Sequence, residues 1–372
     1  TCMFLLTVLF AHGQTIPDKI HEKLYGLKKD EAIHAAVQLA DSSIVLAGYT
    51  NSKGYGNEDA WVLRVSKDAR ILWERTFGGR RTDVATSIVL ASDSNLIATG
   101  YTESRGNGEK DQYVMKIDLE GAMLWSKNYG GSGPDRVFDA LADKDGGAVI
   151  TGYETINRSS NVFLASINKY GKINWKKYFG GRGMQAGFAL APLPEGGYLI
   201  AGAKSAGQGN KSQNWLIKTD ARGIKTWDKL FGNSNSLSRI TSLHIANDES
   251  VYLAGNNILS AGRRVLNKNW VARYTLSGEE KWLKSFQQHK DTKMNKLLPL
   301  PDSSLMMTSL SKQGYSLIGK ISMQGDVKWR TSYGRPEEDR ILSANLLKNG
   351  RLLLTGYNES KSGGNRKDGW AI

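Results

Sequence analysis

Residues 72–78 read Leu-Trp-Glu-Arg-Thr-Phe-Gly. Trp73, Arg75 and Phe77 share one face of a strand, because side chains alternate with period two. The same shape recurs at Trp125/Tyr129, Trp175/Phe179, Trp227/Phe231, Trp282/Phe286 and Trp329/Tyr333, with the closing aromatics 47 to 55 residues apart. A repeat of this length marks one supersecondary unit that buries its apolar face only against its neighbours.

Each unit keeps one internal order. After the aromatic comes a Gly-rich turn, often closed by an acid (Asp83, Asp135, Asp339). An apolar-alternating strand follows, then a polar turn, then a strand ending in Gly-Tyr, as at Gly48-Tyr49, Gly100-Tyr101, Gly152-Tyr153 and Gly356-Tyr357. A Gly-rich loop leads to a third strand carrying Trp61, Tyr113, Phe163, Trp215 or Trp270, with Leu317 in one unit. Four short alternating strands separated by turn residues predict a propeller blade. No sustained 3.6-residue period predicts a helix.

Beyond Tyr333 only three strands remain, closing on Trp370-Ala371-Ile372, the counterpart of Trp61-Val62-Leu63. The missing fourth strand is found at residues 20–26, Ile-His-Glu-Lys-Leu-Tyr-Gly, which aligns with residues 72–78. The expected fold is therefore an all-β, seven-bladed β-propeller of four-stranded antiparallel blades. The N-terminal outer strand joins the C-terminal blade, closes the ring and removes an exposed edge. A single domain is expected over residues 14–372.

The run Phe77-Gly78-Gly79, Asp83, Ser87-Ile88, Gly100-Tyr101-Thr102 resembles the bacterial seven-bladed β-propeller repeat known as SBBP. Residues 129–135 with Gly152-Tyr153 are similar, and the resemblance covers essentially all of residues 14–372. Units five and six have drifted, with Thr308-Ser309 where others have Gly-Tyr. The resemblance implies a scaffold and brings no catalytic residues. The recurring Trp also resembles the Trp-docking repeats of quinoproteins. The repeat is similar to exported proteins of Bacteroidetes, some of which associate with outer-membrane secretion machinery.

The 372 residues carry 50 Lys+Arg against 36 Asp+Glu, a net charge of +14. One Cys excludes a disulfide framework and a Cys-based zinc site, and five His leave little material for metal binding. Residues 2–11 form an apolar run too short to span a bilayer as a helix. Ala11-His12-Gly13 places small residues at −3 and −1 of a cut before Gln14, which reads as a signal peptide over residues 1–13. An exported protein, periplasmic or extracellular, is expected.

The loops from strand two to three, and from strand four to the next unit, open on one face. They include residues 52–57, 104–109, 205–212, 256–268 and 360–367. Loops on a rigid scaffold carry function, so candidate ligand contacts are Lys53, Tyr55, Arg105, Lys211, Arg263, Arg264 and Arg366. Trp73, Trp125, Trp175, Trp227, Trp282 and Trp329 are read as structural, packing between blades. The cation two residues before the closing aromatic (Lys23, Arg75, Lys127, Lys177, Lys229, Lys284; Thr331 is the exception) is expected to lay its stem beside the aromatics.

Asp83, Asp135 and Asp339 are read as turn formers. Asp143-Lys144-Asp145-Gly146 is read as a hairpin turn, since it lacks the later ligands of a calcium loop. Gly54/Gly56 and Gly106/Gly108 have no following helix to form a dinucleotide fingerprint. No cofactor and no metal are expected. The reading is a non-catalytic binding or scaffold module, acting as a monomeric domain that does not span the membrane. Its partner would be another envelope protein or an anionic envelope polymer, not nucleic acid. The alternative is a glycan-binding or polysaccharide-cleaving propeller. That would use Tyr55, Trp61 and Trp270 on sugar and a carboxylate pair among Asp83, Asp135 and Asp339, about 5–9.5 Å apart.

Overall fold

The computed structural model describes residues 22–26, 29–107, 109–205, 211–261, 264–286, 293–310, 315–333, 339–360 and 366–371. The signal-peptide reading of residues 1–13 lies outside them. Every regular element among these residues is a β-strand. The strands form five four-stranded antiparallel sheets and one eight-stranded sheet. The eight-stranded sheet is two repeat units joined by one parallel pairing, Ser212 with Leu237.

Unit two shows the plan. Its strands are Asp83–Leu90, Leu96–Thr102, Asp111–Ile117 and Met123–Tyr129, each paired with the next. The third strand is buried along its whole length, whereas the fourth alternates between exposed and half-buried residues. Apolar clusters lie between units rather than within them. One joins Val45, Val62 and Phe77 of the first unit to Ile88, Leu96 and Tyr113 of the second. Another joins Tyr25, Leu353 and Ala371 of the last unit to Ile33, Leu46 and Trp61 of the first.

Lys23–Tyr25 pairs antiparallel with Arg366–Ala371, matching Tyr25 with Gly369. The N-terminal segment thus supplies the fourth strand of the last sheet, as its alignment with residues 72–78 predicts. First and last units also exchange polar contacts. The Asn345 side-chain amide donates to the Ala36 carbonyl at 2.6 Å, and the Lys367 backbone N–H donates to Asp30 at 2.9 Å.

Two local rules recur. Strands one and two share a register shift in every unit, for example between Ala85 and Ser87. Just before that bulge sits the strand-two glycine. A Cβ on Gly100 would fall on the Val84 carbonyl, and one on Gly48 on that of Ala32. The glycine also faces the strand-three aromatic across the next ladder: Gly48 with Trp61, Gly100 with Tyr113, Gly152 with Phe163. In unit six the register puts Ser309 at the glycine position, opposite Leu317. The residues standing for Gly-Tyr there are therefore Ser309-Leu310, not Thr308-Ser309. Glycine and aromatic are lost together, because the missing Cβ makes room for backbone and ring at one point.

The repeated Trp is a structural anchor. Trp73 and Trp125 reach the strand three–four hairpin turn of the following unit, where their indole N–H groups donate to the Leu119 and Lys169 carbonyls. Each turn ends in a positive-φ glycine, and a Cβ on Gly121 would lie 3.0 Å from the Trp73 ring. Gly171, Gly223, Gly278 and Gly325 receive Trp125, Trp175, Trp227 and Trp282 in the same way. All six repeated Trp residues also pack against the apolar clusters between units, Trp329 against the one around Leu300 and Ile341. The neighbouring cation follows its Trp: the Lys127, Lys229 and Lys284 stems lie over these same turns, and the Lys229 ammonium bonds the Gly278 carbonyl at 2.6 Å.

Candidate functional site

The two loop sets do share one face. The Asp83 N–H donates to the Glu58 carbonyl at 2.7 Å, and the Arg81 N–H donates to the Ser104 hydroxyl at 3.0 Å. Gly56 packs so tightly on the Gly79 and Arg81 carbonyls that a Cβ would not fit.

The turn acids hold this face together. Asp83 accepts the Gly79 N–H at 2.8 Å and the Ser104 hydroxyl at 2.6 Å. Asp135 accepts the Gly131 N–H at 2.7 Å and the Thr155 N–H at 2.6 Å. Burial pushes the Asp135 carboxyl up to about 6, against those two hydrogen bonds and with help from Glu154 and Asp111. Asp339 is buried and accepts from the Asn358 amide. These carboxyls are enclosed by their own loops. Trp61 and Trp270 are likewise almost fully buried. Of the aromatics considered for sugar contact, only Tyr55, 90% exposed, lies on the surface.

The candidate contacts fall into distinct settings. Tyr55 and Arg105 are exposed on their loops. Lys53 is ion-paired with Glu74 of its own sheet. Lys211 is exposed and bonds the Asn235 side chain at 3.3 Å. Arg263 lies outside the described residues. Arg264 and Arg366 begin strands, and their side chains lie outside the description. The long loop expected at residues 256–268 is mostly a hairpin arm. Val251–Ala261 and Arg264–Tyr274 stay paired out to Ala261 and Arg264. Its apolar residues come in adjacent pairs, Ile258-Leu259 and Val265-Leu266, so the segment lacks the alternation that marks a strand in sequence.

Towards the centre of this face the strand-two tyrosines gather. Tyr49 and Tyr101 sit near Glu58, and Tyr49 also near Asp30 and Tyr357. Burial, then these charges, raise the Tyr49 hydroxyl above its usual range. Glu58 is raised first by burial, with Lys367 and Lys110 opposing and Glu103 adding. Lys110 also pairs with Glu103 at 3.0 Å and lies 4.9 Å over the Tyr101 ring. Sequence reading noted these tyrosines only as strand ends. Their recurrence immediately after the glycine was the available signal.

Asp143–Gly146 forms the expected hairpin turn. The Gly146 N–H donates to the Ser92 hydroxyl at 2.8 Å, and the buried Lys116 ammonium donates to the Gly146 carbonyl at 2.7 Å. Among the described residues, no three His, Cys, Asp or Glu side chains cluster as metal ligands. None of the described elements is a helix long and apolar enough to cross a membrane.

No protein-family model and no curated protein matches the chain. Solved structures do. BBS1N in complex with ARL6DN matches with TM-score 0.55 and 10% identity, over 100% of this chain and 96% of that one. The periplasmic gluconolactonase PpgL of Pseudomonas aeruginosa matches with TM-score 0.51 and 10% identity, over 88% and 94%. The β-propeller domain of the Trilobed protease from Pyrococcus furiosus, described as having an open velcro topology, matches with TM-score 0.51 and 8% identity, over 92% and 95%. At such identities the likeness speaks for fold alone, and together with the sheets above it makes this chain a β-propeller.

Proposed function

We propose that the chain is a closed, seven-bladed propeller of the SBBP type that acts after export as a non-catalytic binding module in the cell envelope. The closed ring is supported by the pairing of Lys23–Tyr25 with Arg366–Ala371 and by the apolar cluster shared between last and first units. Export rests on the apolar run and cut site of residues 1–13. The binding role rests chiefly on one observation. The shared loop face presents exposed Tyr55, Arg105 and Lys211, while the acids available for hydrolysis are enclosed by backbone donors. A protein partner is favoured. One similar propeller, BBS1N, was itself solved in complex with a second protein, ARL6DN.

The test is crosslinking and pull-down with the tagged protein in its native envelope, comparing wild type with Tyr55→Ala/Arg105→Ala/Lys211→Ala. Recovery of a defined envelope protein, lost in the triple variant, supports the reading. Recovery of nothing above background, or equal recovery by the variant, overturns it. Binding and cleavage across a polysaccharide panel would instead support the glycan reading.

A further inference from the structure

The innermost strands carry a tier of cations that the loop-face reading does not use. One register position per unit stands opposite the residue that follows the strand-two glycine. Arg136 there faces Tyr153, Arg239 faces Asn256, Lys293 faces Leu310 and Arg340 faces Tyr357. The other three units place Ala32, Val84 and Ala186 at this position. Equivalent positions on innermost strands of a propeller lie at one height around its centre. Every long side chain of this tier is therefore cationic.

Two members are held by rings. The Arg136 guanidinium lies 4.2 Å over Tyr101 of the preceding unit. The Arg239 guanidinium lies 5.0 Å over Phe188 of its preceding unit. Phe188 packs on Phe138 at 5.2 Å, and Phe138 on Tyr153 at 5.9 Å. An aromatic wall of Tyr153, Phe138 and Phe188 thus ends on Arg239, with Arg136 across the ladder from Tyr153 at its other end. Arg239 keeps contact with solvent between buried Ser238 and Ile240, although the protein crowded around it lowers its basicity, while Arg136 keeps a buried Nε that bonds nothing.

Several other half-buried or buried cations among the described residues are paired with acids. Lys116 pairs with Asp93, Lys176 with Glu154, and Arg273 with Asp248 at 3.0 Å. Arg136 and Arg239 have no carboxylate at ion-pair distance among the described residues. The charge of Arg136 reaches Arg239, two units away, and adds to burial in lowering its basicity. Two guanidiniums on one aromatic wall, neither in an ion pair among the described residues, offer planar donor forks suited to carboxylate or phosphate oxygens.

We propose that Arg136 and Arg239, backed by Lys293 and Arg340, form a central oxyanion site, for a carboxylate or phosphate group whose body rests on the Phe138–Phe188 wall.

The test is calorimetric titration of the full chain with two probes, citrate for carboxylate and inorganic pyrophosphate for phosphate. One probe should bind saturably, and its identity assigns the source. Arg136→Gln/Arg239→Gln should weaken that binding at least tenfold, the scale of losing charge-assisted hydrogen bonds. Arg80→Gln/Arg81→Gln, which removes the same charge from an exposed loop, should change it less than about twofold. Arg239→Lys keeps the charge but loses the fork, and should weaken binding several-fold while folding normally. The bound probe should raise the melting temperature of wild type and not of the Gln double variant. No saturable binding at millimolar probe, or equal losses in the two double variants, would overturn the site.

Discussion

The indole N–H of Trp73 donates to the Leu119 carbonyl 2.7 Å away, across the junction between two units. Two residues on, Gly121 has φ of 88° and presents its bare Cα to the same ring. The repeated Trp and the repeated turn glycine are therefore two halves of one joint. Gly121→Ala should cost about 2–4 kcal/mol, combining left-handed strain with an overpacked ring. Ala69, at φ of 59°, is the counterpart in unit one. The residue aligned with the Trp that would dock there, His21, lies outside the described residues. Ala69→Gly should be nearly neutral, because relieved strain is offset by unfolded-chain entropy. Urea denaturation of both variants checks the contrast.

A second pairing lies across the ladder between strands two and three. Gly100→Ala drives a methyl into the Val84 carbonyl and should cost roughly 3 kcal/mol or more. In unit six the exchange has already happened, with Ser309 opposite Leu317. Ser309→Gly alone should cost about 1 kcal/mol, and Leu317→Tyr alone should overpack. Together they should recover most of the loss. A double-mutant cycle with no coupling would contradict the account.

Deleting residues 14–25 removes the strand paired with Arg366–Ala371 and the buried Tyr25 ring. The melting temperature should fall by many degrees, since burying one aromatic alone contributes roughly 1.5–3 kcal/mol. A truncated protein that melts like the full chain would refute ring closure through this strand.

Asp135 should leave a pH signature. Its folded carboxyl titrates at about 6 because of burial, whereas an unfolded one titrates near ~3.9. The folded state therefore holds a proton that the unfolded chain has released. That contribution is complete below about pH 4 and is lost as pH rises through about 6. Relative to Asp135→Asn, wild type should lose roughly 2 kcal/mol between those limits. Denaturation of both proteins at several pH values reads the difference directly, and a flat difference would rule the effect out.

The buried carboxylate of Glu154 is bound by Lys176, by the Gln112 amide at 2.8 Å and by the Tyr178 hydroxyl at 2.8 Å. Glu154→Ala strands a buried ammonium and should cost about 3–5 kcal/mol. Adding Lys176→Met should return much of it, measured by the same denaturation assay.

The strand order and the N-terminal strand's place were legible because both depend on local period and spacing. Trp73, Arg75 and Phe77 declare their shared face two residues at a time. The central tier was not legible in the same way. Arg136 and Arg239 are separated by a whole intervening unit, and only the stacking of units brings their charges within reach. Trp61 and Trp270 looked available for sugar contact because aromatic type says nothing of strand position. Third strands have sheet on both sides, so their rings are enclosed. The hairpin arm at residues 256–268 was missed because its apolar residues come in adjacent pairs, Ile258-Leu259 and Val265-Leu266, and show no period of two.

Each Trp joint points one way, from a fourth strand to the turn of the unit ahead. The last unit interrupts the series on both sides. Its outer strand arrives from the N-terminal segment rather than through a hairpin turn from Arg366–Ala371, and no turn glycine among the described residues receives Trp329. Towards the first unit the joint is made by the Tyr25 hydroxyl on the Ala69 carbonyl at 3.1 Å. The same bond recurs between the second and third units, where the Tyr129 hydroxyl donates to the Gly171 carbonyl at 2.5 Å, so the seam keeps the tyrosine half of the joint. What differs is the connection: losing Lys23–Tyr25 from this sheet would break strand pairing without opening a hairpin.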